Sequence, residues 1–169
     1  MTPVIRELGS DGDYEALTQL LHRAYASLAA MGFKYTATCQ SPEVTRSRCK
    51  GGTCLVAEID GVIVGTVTFY NAEQSQHSEW YDRPEVASFG QFGVEPTLQG
   101  HGIGKMLMDE VERLAAESGA KEVACDTAEG ATHLIELYMR RGYRLVGKVD
   151  WKDTNYESVI LSKDLRSME

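Results

Sequence analysis

The chain has 169 residues, 43% of them hydrophobic and only four of them proline. That is the profile of an ordinary globular domain, one that buries about 70% of its unfolded surface and needs neither disulfide nor metal to stay folded. Its 17 Lys and Arg stand against 25 Asp and Glu, a formal charge of −8 with the acids scattered, which repels phosphate polymers, mildly attracts protonated amines and argues against a nucleic-acid partner.

Residues 4–8 read as a first strand. Ser10, with Asp13 three residues on, signals the start of a helix whose apolar side is Tyr14, Leu17, Leu21, Ala24 and Leu28 and which ends near Gly32. Ser41-Pro42-Glu43 starts a second helix, with a serine cap and proline in the first turn, running to about Lys50 and Gly51. The runs 54–59 and 62–70 are β-branched and apolar and are joined by Asp60-Gly61, the type I′ pair, which predicts an antiparallel hairpin. A polar loop over 71–84 precedes a strand over 86–94 and the glycine-rich turn 99–104. The next helix has Ile103, Leu107, Val111, Leu114 and Ala115 on one side and Gly119 just past its end. A strand over 122–126 leads through Gly130 into a helix over 132–141 with Gly142 as its cap. Strands over 143–149 and 156–161, connected through Trp151, close the chain. Nothing repeats and no linker intervenes, so residues 1–169 are expected to form a single domain. The order predicts an α/β fold, a mixed central sheet of about seven strands flanked by about four helices.

No apolar run reaches the ~18 residues of a bilayer span, and the start Met1-Thr2-Pro3-Val4-Ile5-Arg6-Glu7 lacks the basic then apolar layout of a signal peptide. A cytosolic protein with no membrane partner is the expectation. Cys39, Cys49, Cys54 and Cys125 contain no C-x-x-C pair, and His22, His77, His101 and His133 contain no H-x-x-x-H pair, so no metal is expected and the thiols are expected to be reduced and partly buried.

The chemistry concentrates where the strand over 86–94 runs through Glu95-Pro96 into Gln99-Gly100-His101-Gly102-Ile103-Gly104-Lys105 and opens a helix. Free backbone N–H groups and the positive end of the helix dipole converge there, an anion cradle suited to a pyrophosphate. A Walker A loop needs Ser or Thr where Met106 stands, and a Rossmann fingerprint needs Gly where Leu107 stands. The pattern Q-x-x-G-x-G at Gln99, Gly102 and Gly104 instead resembles the acyl-CoA loop of the GNAT superfamily of N-acyltransferases. The stretch Tyr138-Met139-Arg140-Arg141-Gly142-Tyr143 is similar to that family's helix-to-strand signature, and the element order looks like its whole fold.

The resemblance implies an acetyl-CoA-dependent N-acetyltransferase that moves an acetyl group to a primary amine by direct attack, with acyl-CoA and an amine as its partners and a homodimer left open. Phe92, Gly93 and Val94 would lie along the pantetheine arm, and the Val94 N–H would face the thioester carbonyl, whose oxygen gains charge in the transition state. Gln99, Gly100, His101, Gly102, Ile103 and Gly104 would hold the pyrophosphate. Lys105 either adds a point charge or is an ordinary solvated lysine. Tyr138 would protonate the departing thiolate. Family members often carry a carboxylate on the strand before the loop and Asn seven residues before the tyrosine. Here that strand offers only Ser88 and Gln91 as polar side chains, with Gly90 at the acid's position, and Ala131 stands in place of Asn, with Thr132 or His133 as substitutes. The base is then one of Glu79, Asp82, Glu85 and Glu95, or water relays the proton. Arg140, Arg141 and Arg144 sit where helix C-termini favour cations, with the CoA 3′-phosphate as a second reading. Substrate choice is expected in residues 29–40, with Met31, Phe33 and Tyr35, and in residues 71–84, with Trp80 and Tyr81 beside Glu79 and Asp82, as aromatic walls with acidic edges for a cationic amine. A protein N-terminal or lysine acetyltransferase and a non-catalytic acyl-CoA-binding module are the alternatives.

Overall fold

The computed structural model describes residues 2–75, 79–151 and 154–168; His77 and part of the 71–84 loop lie outside the described residues. Strands β1 (Val4–Glu7), β2 (Thr53–Ile59), β3 (Val62–Tyr70), β4 (Val86–Val94), β5 (Glu122–Ala128), β6 (Arg144–Val149) and β7 (Ser158–Asp164) make one mixed sheet in the order β1-β2-β3-β4-β5-β7-β6. Among the described residues only β4 and β5 pair in parallel, and their connection passes through a helix, as a parallel crossover requires. The α-helices among the described residues are α1 (Tyr14–Ala30), α2 (Thr36–Cys39), α3 (Pro42–Lys50), α4 (Ile103–Glu117) and α5 (Thr132–Arg140). The element beyond the expected four is α2, a single turn inside residues 29–40 that is too short to show a period.

Local chemistry explains the boundaries. Asp13, rather than Ser10, caps α1, its carboxylate accepting the Ala16 N–H at 2.9 Å, and Ser41 caps α3 by accepting the Val44 N–H at 3.2 Å. Asp60 and Gly61 have φ of 51° and 80°, the two left-handed positions of a type I′ turn. β5 runs two residues past its expected end because its pairing with β7 continues to Ala128 opposite Ser158.

Strand alternation then builds two cores. Leu55, Ala87, Val123 and Cys125 face α4 with its buried Ile103, Leu107, Val111 and Ala115, and Tyr138 and Tyr143 join them. Cys54 and Val56 face the other way, onto Leu17, Leu20 and Leu21 of α1 and Cys49 of α3. The three leucines are fully buried, each contributing roughly 1.5–3 kcal/mol over an exposed state.

The sheet opens at its middle. β4 and β5 pair only at Val86, Ala87 and Ser88 against Glu122, Val123 and Ala124. Beyond Ser88 the register of β4 against β3 slips at a bulge, where Gln91 takes a φ of 48°. A bulge bends and twists its strand, and the two parallel neighbours separate into a wedge. α1 crosses close over the bent strand, so that a Cβ at Gly93 would lie 2.8 Å from that of Ala24; glycine is required by this approach.

Candidate functional site

A cavity of about 790 Å³ fills the wedge. Phe92, Gly93, Val94, Gln99, Gly100, Ile103, Gly104 and Tyr138 all line it, together with Arg48, Asp126 and several aromatic rings. Of the residues expected to bind cofactor, His101, Gly102 and Lys105 stand outside its lining. Lys105 is exposed and paired with Asp109 at 2.9 Å, and the His101 Nδ1 lies 3.1 Å from the Leu98 carbonyl.

At one end of the cavity, Gly100 and Gly102 take φ of 83° and 87° with open space where a Cβ would stand. Gly102 occupies the cap position of α4 and offers no side chain to accept a hydrogen bond from the first turn. The opening N–H groups of α4 are left for a ligand, a concave donor surface that fits a diphosphate. Gly104 serves differently: a Cβ there would touch the Phe92 ring at 3.5 Å and Val94 at 3.7 Å.

The main chain of β4 supplies the next group. The Glu95 N–H donates to the Val64 carbonyl of β3 at 2.8 Å, and successive N–H groups of a strand point to opposite edges. The Val94 N–H therefore points away from β3, into the wedge. Tyr138 approaches from the α4 side, its ring among Phe89 and Tyr143 with centroids at 6.1 and 5.7 Å. Its hydroxyl has no hydrogen-bond partner among the described residues. Burial, and then the neighbouring Cys125, Tyr25, Tyr35 and Asp126, push its ionisation well above the ordinary phenol range, so it keeps its proton.

The opposite side of the cavity holds a group that the sequence reading missed. Alternation along β5 sends Cys125 to the α4 face and Asp126 to the other, into a cluster with Tyr81 and Trp151. The Tyr81 hydroxyl donates to Asp126 Oδ1 at 2.8 Å and the Trp151 indole N–H to Oδ2 at 2.7 Å. Burial raises the pKa of this carboxyl above the usual range, and the two hydrogen bonds and the Arg48 charge offset part of that rise. A carboxylate so placed is a better proton acceptor than a solvated one. A lone acid within the otherwise uncharged run of β5 after Glu122 was the available signal. The four acids considered as the base lie outside the cavity lining. Glu95 pairs with Arg23 at 2.9 Å, Glu79 and Asp82 are exposed, and Glu85 uses its carbonyl to hold the start of β5.

The expected aromatic walls are met in part. Tyr35 and Tyr81 line the cavity with Tyr25, Trp151 and Tyr156, and the Tyr35 ring sits 5.4 Å from Tyr25 and 4.9 Å from Tyr156. Met31 is exposed, Phe33 packs edge-on against Tyr156, and Trp80 stacks under the Arg83 guanidinium at 4.1 Å. Ala131 is buried at the cap of α5, where Thr132 is exposed and His133 reaches the cavity. Arg140, Arg141 and Arg144 are engaged with Glu136, with Asp109 and Glu112, and with Glu122. All four cysteines are free, with Cys39 exposed and the others buried. Among the described residues, no helix is long and apolar enough to cross a membrane, and no three His, Cys, Asp or Glu side chains gather to hold a metal ion.

Comparison with known proteins bears on this geometry. The family model described as "Acetyltransferase (GNAT) family" matches residues 15–143. A curated relative, S-(2-succino)cysteine N-acetyltransferase of Bacillus subtilis (strain 168), is 28% identical over 164 residues, 94% of each chain. An N-acetyltransferase structure from Staphylococcus aureus Mu50 superposes with a TM-score of 0.73 at 17% identity, covering 98% of this chain and 99% of that one. A GNAT family acetyltransferase from Elizabethkingia anophelis, solved with acetyl-CoA bound, gives 0.67 at 18% identity over 96% of this chain and 97% of that one.

Proposed function

The chain belongs to the acetyltransferase (GNAT) family, and from its site we propose that it moves the acetyl group of acetyl-CoA to the primary amine of a small molecule by direct attack. Acetyl-CoA supplies a thioester, an electrophilic carbonyl with a thiol leaving group. The N–H groups of the glycine loop and of α4 hold its diphosphate, and the exposed edge of β4 receives its amide arm. Asp126 takes a proton from the acceptor's ammonium and frees the lone pair that forms the C–N bond. The Val94 N–H stabilises the oxyanion, which carries more charge in the transition state than in the ground state. Tyr138 delivers a proton to sulfur as the C–S bond breaks and regains one from the nitrogen as the amide forms, leaving N-acetylated amine and CoA thiol, while Asp126 gives its proton to solvent. No acetylated side chain intervenes.

One observation carries this reading: the opening between β4 and β5 places the Val94 N–H, Tyr138 and Asp126 around a single cavity. A concave, aromatic-lined space suits a small molecule better than a folded protein surface, and the curated relative is named for a small amino-acid acceptor. The reading is tested by thermal denaturation with CoA, followed by a screen of acetyl-CoA turnover against small amines and peptides. CoA should raise Tm, since a ligand of the folded state alone stabilises it. Gly102→Glu should abolish the rise. A chain that releases CoA only with peptides would move the function to protein acetylation, and CoA binding without turnover on any amine would make it a binding module.

A further inference from the structure

Arg48, in the last turn of α3, lines the cavity but has no part in the transfer chemistry. It is half-buried and makes no ion pair among the described residues, unlike Arg141 and Arg144, whose charges meet buried or half-buried carboxylates. Its Nη1 donates to the neutral Gln40 Oε1 at 2.8 Å. The Gln40 side chain is in turn fixed, its Nε2 donating to Thr45 Oγ1 at 2.8 Å and to Gln91 Oε1 at 2.7 Å, and the Gln91 Nε2 donates to Thr68 Oγ1 at 3.1 Å. Gln40 and Gln91 are buried, and Gln91 holds the left-handed backbone of the β4 bulge, a strained conformation that persists only where its surroundings enforce it. The network orients a cation without neutralising it. Gly90, which lines the cavity beside Arg48, would bring a Cβ to 3.6 Å from Arg48 Nη2, so no side chain at that position covers the guanidinium.

We infer that Arg48 binds a carboxylate of the acceptor, so that the acceptor class is an amine bearing a carboxylate, as an α-amino acid does. This rests on the acetyl-transfer reading above. Arg48 and Asp126 both line the cavity, are opposite in charge and are not paired with each other, a dipolar arrangement complementary to a zwitterion. Asp126 meets the ammonium and the planar guanidinium fork meets the carboxylate. Gln40 and Gln91 act through Arg48 and are positioning residues.

The experiment uses the full chain and two readouts. In calorimetric titrations of the CoA-saturated protein, L-alanine should bind at least tenfold more tightly than L-alaninamide, which keeps the ammonium and lacks the carboxylate. Arg48→Gln should remove that preference, Arg48→Lys should restore part of it, and the affinity for CoA should change less than threefold in both. Gln40→Glu, which hands Arg48 an internal carboxylate, should weaken L-alanine binding at least tenfold. In turnover assays over L-amino acids and their amides, Arg48→Gln should lower kcat/KM at least thirtyfold more for the acids than for the amides, through KM. Equal binding of L-alanine and L-alaninamide to wild type, an unchanged preference in Arg48→Gln, or a matching loss of CoA affinity would overturn the inference. Failure of CoA to bind or of any amine to be acetylated would strike the transferase reading instead, and the L-alanine preference, titrated then on the protein alone, would decide the role of Arg48.

Discussion

In the proposed reaction Asp126 and Tyr138 divide the two proton transfers, and their environments suit them to opposite tasks. Asp126 must be ionised to accept a proton, and burial has raised its pKa, so kcat/KM should fall as the pH drops through a value above the usual carboxylate range. Asp126→Asn should lower kcat on the order of 10² and remove that limb of the profile. Asp126 should also mark the stability curve. A carboxyl whose folded pKa is raised adds stability that is full below its unfolded pKa of about 3.9 and lost as pH rises through the folded value. The Tm of Asp126→Asn relative to wild type should therefore rise with pH across that window and level off above it, as scanning calorimetry at a series of pH values would show. Tyr138→Phe removes a hydroxyl with no partner among the described residues, so Tm should hold while kcat falls on the order of 10² with KM for acetyl-CoA little changed. A near-normal kcat would make water the acid. Tyr138 was legible as part of a local signature. Asp126 was not, because its burial depends on Tyr81 and Trp151, which are 45 and 25 residues away.

The elements owe their positions to a few polar locks as much as to apolar faces. Glu112, on the inner face of α4, is 2% exposed and accepts from Arg141 Nε at 2.6 Å, Lys163 Nζ at 2.8 Å and the Tyr143 hydroxyl at 3.0 Å. It ties α4 to the end of α5 and to β6 and β7, and so holds the glycine loop beside Tyr138. Removing one partner of a buried charge cluster leaves the others uncompensated. Glu112→Ala should cost about 3–5 kcal/mol, a fall in Tm on the order of 10 °C by thermal denaturation. The hairpin, the caps of α3 and the glycine turn were readable because each is fixed by residues within a few positions of one another. The β4 bulge was not, since Gln91 takes its left-handed backbone for partners at Gln40 and Thr68 that no local pattern joins to it. Gly90 likewise marked a missing acid in the sequence without revealing the arginine that lies against it.

Taken whole, the molecule is a sheet parted at the parallel pair β4 and β5, with α4 and α5 packed on one face and α1 and α3 on the other. Parting exposes the edge of β4, where the acyl donor lies in the proposed reaction, and lets groups from both faces meet, Tyr138 from one and Asp126 and Arg48 from the other. The strand order that permits this was accessible only in outline, because alternation and turns identify strands but not which of them will separate. The central claim is direct transfer between two ligands held together in that opening. It is tested by initial rates of CoA release measured while acetyl-CoA and an acceptor amine are both varied. Lines intersecting in the double-reciprocal plot, with the acetyl group recovered on the amine, are the expected result, since both substrates must be bound before the C–N bond forms. Parallel lines, together with an acetylated protein trapped in the absence of acceptor, would contradict the account.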